Sequence, residues 1–180
     1  MSKIMRHVMI ELETMGLTPE CAIVSIGAVK FDPRKGVVSK DTFYVELDYK
    51  TQDRRICPKT EAWWSTQGYE ARAALDGIDD LEDALSDLVK WLPPSAEVWG
   101  NGAAFDISML ENAYRQHNME TPWKFWDVRD CRTIKAMYEC SRGGVGGNNF
   151  EGIAHNAKDD AIHQAKWVSM MWTKMIGRMK

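Results

Sequence analysis

Five side chains from three separated stretches could do chemistry in this 180-residue sequence: Glu11 and Glu13 in "HVMIELETMG", Asp106 in "WGNGAAFD", and His155 and Asp160 in "HNAKDD". In an extended strand, residues i and i+2 point to the same side, so Glu11 and Glu13 would emerge together from one face. Like charges at that spacing repel, and something positive is expected between them. Asp106 falls just inside a predicted helix, at the mouth of a strand-to-helix crossover where sheet proteins build sites. His155 ends a glycine-rich loop, and Asp160 lies in the first turn of the last predicted helix. Four carboxylates and an imidazole, gathered from distant parts of a chain, suit hard divalent cations with oxygen ligands.

Taken singly, each of these residues also has a plain structural reading. Glu11 and Glu13 at a strand end could simply be solvated. Asp106 and Asp160 could favour a helix N-terminus electrostatically, and a histidine in a loop is unremarkable. Asp159 competes with Asp160 for the same role. The joint occurrence of the three clusters, in this order along the chain, points to a metal site.

The elements that must position these residues follow from periodicity and turn signals. Residues 4–12 and 21–32 read as strands with "GLTPE" as the turn between them. A third strand, "GVVSKDTFYVEL", follows the loop "DPRKG", its alternation broken around Ser39 to Asp41. Short loops between three early strands make an antiparallel meander. Helical spacing then covers 59–75 and 81–92, with Pro93 and Pro94 stopping the second helix. The stretch "AEVWGNG" is a short strand feeding a helix over 104–118, the unit that builds parallel pairing. The stretch "KFWDV" reads as a last short strand, "RDCRTIKAMYEC" as a helix, and residues 159–179 as the closing helix. Residues 141–152 are glycine-rich without periodicity and read as a mobile loop. The order predicts an α/β fold, a mixed sheet of an antiparallel three-strand meander plus parallel strands, with helices on both faces.

Composition sets the outer bounds. A chain of 180 residues with 44% hydrophobic composition supports one well-packed core, and neither repeat nor linker divides it, so residues 1–180 are read as a single domain. The start meets acid before any useful apolar run, unlike a signal peptide, and no stretch approaches the roughly 18 apolar residues of a membrane span. The four cysteines lack C-x-x-C spacing, which argues against a zinc site and for a reduced, cytoplasmic protein. A net charge of −3 argues against broad wrapping of a nucleic-acid duplex but not against a strand end held at one acidic, metal-loaded site. Eight tryptophans provide core area and leave some for stacking surface.

The three clusters resemble the sequence motifs of the DEDDh 3′-to-5′ exonucleases, which share a ribonuclease H-like fold. Glu11-x-Glu13, Asn101-x4-Asp106 and His155-x4-Asp160 match in order, and the resemblance covers nearly the whole chain. The stretches "IELETMG", "AIVSIGAVKFD" and "EAWWSTQ" are most similar to the branch of phage exonuclease A and the polyadenylate-specific exoribonucleases. One position departs from the pattern: the family's first acid is aspartate, and here it is Glu11. The resemblance implies two Mg²⁺ or Mn²⁺ ions, which make a water nucleophilic and stabilise the leaving oxygen. It implies that Glu11 bridges both ions, Glu13 and Asp160 hold one, and Asp106 supports the other. It also implies that His155 takes the proton of the attacking water, as an imidazole with an unperturbed pKa near 6.5 can.

The implied activity is release of nucleoside 5′-monophosphates from the 3′ end of single-stranded DNA or RNA, without a membrane partner and with a homodimer as a common assembly. The rival reading is a catalytically weakened module that binds nucleic-acid ends or a protein partner, and Glu11 is the feature that supports it. The resemblance places the terminal nucleotide against Thr14, Met15 and Gly16, with Asn101 nearby; Gly16 also has a reading as a plain turn. Trp63 and Trp64 stand about 100° apart on a helix, so one is core and the other free to stack; the stacking role is assigned to Trp64. Arg54, Arg55, Arg72, Arg129 and Arg132 are candidates for phosphate contacts or for ordinary solvated surface. Gly143, Gly144, Gly146 and Gly147 would let the loop before His155 close over substrate, or serve only as a connector.

Overall fold

A computed structural model describes residues 5–142 and 150–176. Five strands form one sheet: β1 (His7–Thr14), β2 (Ile23–Asp32), β3 (Val37–Glu46), β4 (Glu97–Gly100) and β5 (Val128–Asp130), in the order β3-β2-β1-β4-β5. The first three pair antiparallel, and β4 and β5 add parallel to β1. Six helices complete the described chain: α1 (Pro58–Trp64), α2 (Tyr69–Arg72), α3 (Leu81–Trp91), α4 (Ala103–Gln116), α5 (Cys131–Arg142) and α6 (Ala157–Ile176). The expected mixed sheet with helices on both faces is what the chain adopts.

Alternation in β1 divides the core. Val8, Ile10 and Leu12 enter one apolar cluster with Leu85 and Leu88 of α3 and Ile107 and Leu110 of α4. Met9 points the other way, into a cluster with Val29, Phe31, Trp99 and the α6 residues Ala161, Ala165 and Val168. A satellite cluster joins Met15, Val24 and Trp64 under α1 and α2.

Several boundaries differ from the sequence reading, among them the start of β2 at Ile23 and of α5 at Cys131, with Arg129 and Asp130 in β5. Strand β1 starts at His7 and runs through Thr14, so both acids lie within it. The helical pattern over 59–75 breaks into α1, α2 and a 3₁₀ turn over Ala73–Asp76. Ser65 and Thr66 end α1 by donating their hydroxyls to the carbonyls of Ala62 and Trp63, at 2.6 and 2.7 Å, which offers the backbone a turn in place of another helical residue. "KFWDV" is not a strand: Phe125–Asp127 is a 3₁₀ turn with Phe125 and Trp126 exposed, and β5 begins only at Val128. The closing helix starts two residues earlier, at Ala157, where the Asn156 side chain accepts from the Asp159 amide at 3.2 Å. The break in the third strand's alternation corresponds to a real irregularity, since pairing with β2 shifts register between Val29 and Phe31.

Candidate active site

The two acids of β1 lie opposite Gly27 and Ser25 of β2, and the β1–β2 register shifts just after Glu13. Gly27 explains how the last helix reaches them. A Cβ there would fall 2.2–2.3 Å from the Ala157 backbone, so the N-terminus of α6 sits directly on the sheet. One turn along that helix brings Asp160 to the cleft. Gln164, one further turn along the same face, donates from Nε2 to Glu11 Oε2 at 2.8 Å. Asp106 arrives from the other side of the chain order, in the first turn of α4, and is 1% exposed.

These four carboxyls feel one another. Burial pushes the Glu13 carboxyl up to about 8, with repulsion from Asp160 and Asp106 adding to it. Burial also raises Asp106, to about 7, against the pull of the Leu12 backbone and the Arg132 charge. Glu11 is held well above the usual carboxylate range by burial and by Asp106, although its hydrogen bond from Gln164 works the other way. Asp160 is raised by burial, opposed by the amide of His155, which donates to its Oδ2 at 3.0 Å.

His155 has a φ of +63°, in the left-handed region that L-residues enter at a cost. Its ring stands edge-on to Trp63 with centroids 5.0 Å apart. Both line a cleft of about 560 Å³ together with Glu11, Glu13, Asp160, Asn101, Thr14 and Gln164. Asp159, the competitor of Asp160, is committed elsewhere: its Oδ2 accepts from the Ile153 amide at 2.9 Å and closes the preceding loop.

Two of the residues read as substrate contacts, Trp64 and Met15, are placed differently from that reading. Trp64 is 1% exposed and donates its indole N–H to the Thr14 carbonyl at 3.0 Å, so it is core, and Trp63, 40% exposed, is the indole in the cleft. The choice between neighbours 100° apart is settled by the satellite cluster into which Trp64 packs. Met15 is buried in that same cluster, and the apolar side chain in the cleft is Leu17, two residues on. Gly16 is fixed by packing, because a Cβ there would fall 2.3 Å from Cys21 Sγ. The Thr14 hydroxyl donates to the Gly16 carbonyl at 2.8 Å. Gly143, Gly144, Gly146 and Gly147 lie outside the described residues.

Sequence reasoning named Trp63 only as the alternative to Trp64 and passed over Gln164, Leu17, Phe105, Lys59 and Thr60, all of which line the cleft. For Gln164 a signal was present in the i, i+4 spacing from Asp160 on a helix. For the others it was not, since their position depends on how α1 and the loop after β1 fold back.

Among the described residues, no group of three or more His, Cys, Asp and Glu side chains forms a ready-made metal cage. The donor set nevertheless fits hard cations. Asp106 Oδ1, Gln164 Oε1 and Ser25 Oγ are buried without a hydrogen-bond partner, and all three belong to residues bordering the acids. Oxygen donors and raised carboxyls are the chemistry that a divalent cation stabilises. Among the described residues, no helix is long and apolar enough to cross a membrane.

Known proteins share this fold and, in part, this sequence. The exodeoxyribonuclease of Enterobacteria phage T4 is 28% identical over 207 aligned positions, covering 90% of this chain and 86% of the phage protein. In fold, 96% of the chain superposes on cell-death related nuclease 4 with a TM-score of 0.68 at 12% identity, spanning 64% of that protein. Similar coverage of this chain is found with the nuclease domain of 3′hExo, a DEDDh family member bound to rAMP (TM-score 0.59, 14% identity, 92% of that chain). Exonuclease I superposes with a TM-score of 0.68 at 15% identity, over 43% of its length. The chain belongs to the family described as the 3′-5′ exoribonuclease Rv2179c-like domain, whose pattern matches residues 6–172.

Proposed function

We propose that this protein is a metal-dependent exonuclease that removes nucleoside 5′-monophosphates one at a time from the 3′ end of single-stranded DNA or RNA. The observation that carries the reading is the acid cluster itself. Four carboxyls from β1, α4 and α6 are all raised by burial, and Glu11 and Glu13 are raised further by Asp106 and Asp160, at a cost to the folded state that a structural role would not require.

Glu11, Glu13, Asp106 and Asp160 would hold two divalent cations, Mg²⁺ or Mn²⁺. When bound, such ions lower the pKa of the attacking water and stabilise the charge on the leaving oxygen. The chain's own groups do the rest. His155 accepts the proton of the water as its oxygen joins phosphorus and the bond from phosphorus to the upstream 3′ oxygen breaks. The His155 amide bond to Asp160 ties that base to the acid cluster. Trp63 offers an indole face and Leu17 an apolar side chain to the terminal base, and the cleft volume of about 560 Å³ suits a single nucleotide.

One observation favours a second reading. Glu11 is one methylene longer than the family's aspartate and is tethered by Gln164, which suits a weakened enzyme that binds nucleic-acid ends or a protein partner. Digestion of matched single-stranded DNA and RNA, labelled at the 5′ or the 3′ end, tests both readings. The exonuclease reading expects a ladder from 5′-labelled substrate and immediate release of mononucleotide from 3′-labelled substrate, with Mg²⁺ or Mn²⁺ and not with chelator. Tight binding without any ladder in either ion would establish the second reading. DNA and RNA are run in parallel because the family is described as an exoribonuclease and the phage relative as an exodeoxyribonuclease.

A further inference from the structure

The five arginines singled out in the sequence do different things. Arg54 spends its guanidinium on the carbonyls of Cys21 and Pro19 and on the side chains of Asn112 and Gln116, and so acts as a strut. Arg129 is bound to the carbonyls of Trp126 and Val128 and to Glu97 at 3.1 Å. Arg55 faces Glu20 at 3.9 Å on the surface. Arg72 is exposed on α2, outside the cleft lining.

Arg132, the second residue of α5, is placed otherwise. Its guanidinium lies over Gly102, in the loop joining β4 to α4: a Cβ on Gly102 would fall 3.2 Å from Cζ and 3.5 Å from Nε and Nη1. Gly102 has a φ of +107°, which suits glycine and leaves that space to the arginine. Among the described residues Arg132 makes no hydrogen bond or ion pair, so its N–H donors are available. The acid next in sequence, Asp130, is already committed, accepting from the Ala103 amide at 2.6 Å and the Thr133 amide at 3.1 Å. The same loop presents Asn101 to the cleft, and the charge of Arg132 reaches Asp106. An exposed planar cation is therefore held over the loop that presents Asn101 to the cleft and leads into the helix carrying Asp106.

We infer that Arg132 binds a phosphodiester of the strand upstream of the scissile bond and so sets which linkage enters the acid cluster. The inference rests on the exonuclease reading for the direction of the strand and on the position of Arg132 for everything else. A guanidinium fork matches two phosphate oxygens in a way that an ammonium does not. Its place over the β4–α4 loop makes it a register device: the upstream phosphate docks on Arg132 as the next linkage meets the carboxylates.

The test is equilibrium binding of 5′-fluorescein single strands that carry one neutral methylphosphonate at each of the last four linkages in turn. Ca²⁺ replaces the ion that supports cleavage. Wild type should lose about tenfold in affinity when one particular upstream linkage is neutralised. Arg132→Gln should lose a similar factor on the unmodified strand and nothing further at that linkage. The salt dependence of log Kd should fall by about 0.7 for the one contact removed, and Arg132→Lys should recover only part of the loss. Equal sensitivity of wild type and Arg132→Gln at every linkage would overturn the inference, as would an Arg132→Gln protein that binds like wild type. Cleavage of the same strands in Mg²⁺ or Mn²⁺ is read separately. Its absence would remove the exonuclease reading while leaving the binding cycle to decide on Arg132.

Discussion

On one side of β1, Val8, Ile10 and Leu12 are 0–3% exposed among the leucines of α3 and α4. On the other side Met9 joins an apolar cluster, but the next two positions, Glu11 and Glu13, meet Asp160 and Asp106. The first side gains free energy from every contact, at about 25 cal/mol per Å² of apolar surface removed from water. The second spends some of that gain on desolvating carboxyls that repel one another. A single strand thus anchors the fold with its even-numbered residues and carries the candidate chemistry on its odd-numbered ones. Substitutions on the two sides should separate cleanly into stability effects and activity effects.

The largest separation is expected between Asp160→Asn and Leu12→Ala. The first should lower nuclease turnover at least about 10³-fold, since holding the ions is worth several kcal/mol of transition-state stabilisation, and leave the apo melting temperature unchanged or higher. The second should cost about 2–5 kcal/mol of stability while activity per folded molecule stays close to wild type. Thermal melts and initial rates on the two purified proteins check both, and a large loss of stability in Asp160→Asn would mean that the acid is structural. Chelator should mimic Asp160→Asn in the wild type.

His155 sharpens the comparison within the active side, because it touches the acids through its amide and the cleft through its ring. His155→Ala keeps that amide, so turnover should fall about 10² to 10⁴-fold with little change in metal affinity. Isothermal titration of Mn²⁺ into the variant decides the point. A matching loss of metal binding would make His155 a ligand instead of a base.

The acids should also write their cost into the pH dependence of stability. Glu13 titrates near 4.5 when unfolded and is raised to about 8 in the fold, and Asp106 goes from 3.8 to about 7. The folded protein therefore holds more protons than the unfolded chain between about pH 4 and 8, and linkage makes stability fall as pH rises through that window. In chelator, stability should drop by an amount on the order of a few kcal/mol from pH 5 to 8.5. Adding Mn²⁺ should restore more at pH 8.5 than at pH 5, where protons compete. Urea melts at the two pH values measure this, and Glu13→Gln should flatten the profile. A wild-type profile that rises with pH in chelator would show that the carboxyls are satisfied without a cation.

Legibility followed the same division. The sheet, its mixed pairing and the three acidic clusters could be read because they depend on period-2 alternation, turn residues and motif spacing, all local in the chain. What could not be read depends on how distant elements touch. Gly27 looks like an ordinary strand glycine until the Ala157 backbone is found 2.2 Å from its missing Cβ. Trp63 and Trp64 are equivalent on paper, and only the packing of Met15 and Val24 selects Trp64 for the interior. "KFWDV" has strand composition, but its aromatics meet edge to face in the open, with centroids 4.7 Å apart.

Glu11 is the β1 acid that α6 holds directly, through Gln164, and the smallest predicted effect tests whether its length matters. The side chain is held by Gln164 on the α6 side while its backbone pairs with Gly27, the residue that lets α6 approach at all. An aspartate here would keep the charge, retract the carboxyl by one methylene and release the Gln164 contact at 2.8 Å. Mg²⁺ accepts little deviation from octahedral geometry, and productive arrangements tolerate about 0.5 Å of error. If the longer side chain displaces the carboxylate, the wild type should work better with Mn²⁺ than with Mg²⁺, and Glu11→Asp should raise the Mg²⁺-supported rate at least tenfold, about 1.4 kcal/mol. Initial rates with each ion in both proteins give the answer. An aspartate variant that is no faster in Mg²⁺ would mean that Gln164 and the close approach of α6 have already set the longer glutamate where the ions require it. In that case Gln164→Ala, which releases the same contact, should lower the rate as Glu11→Asp does.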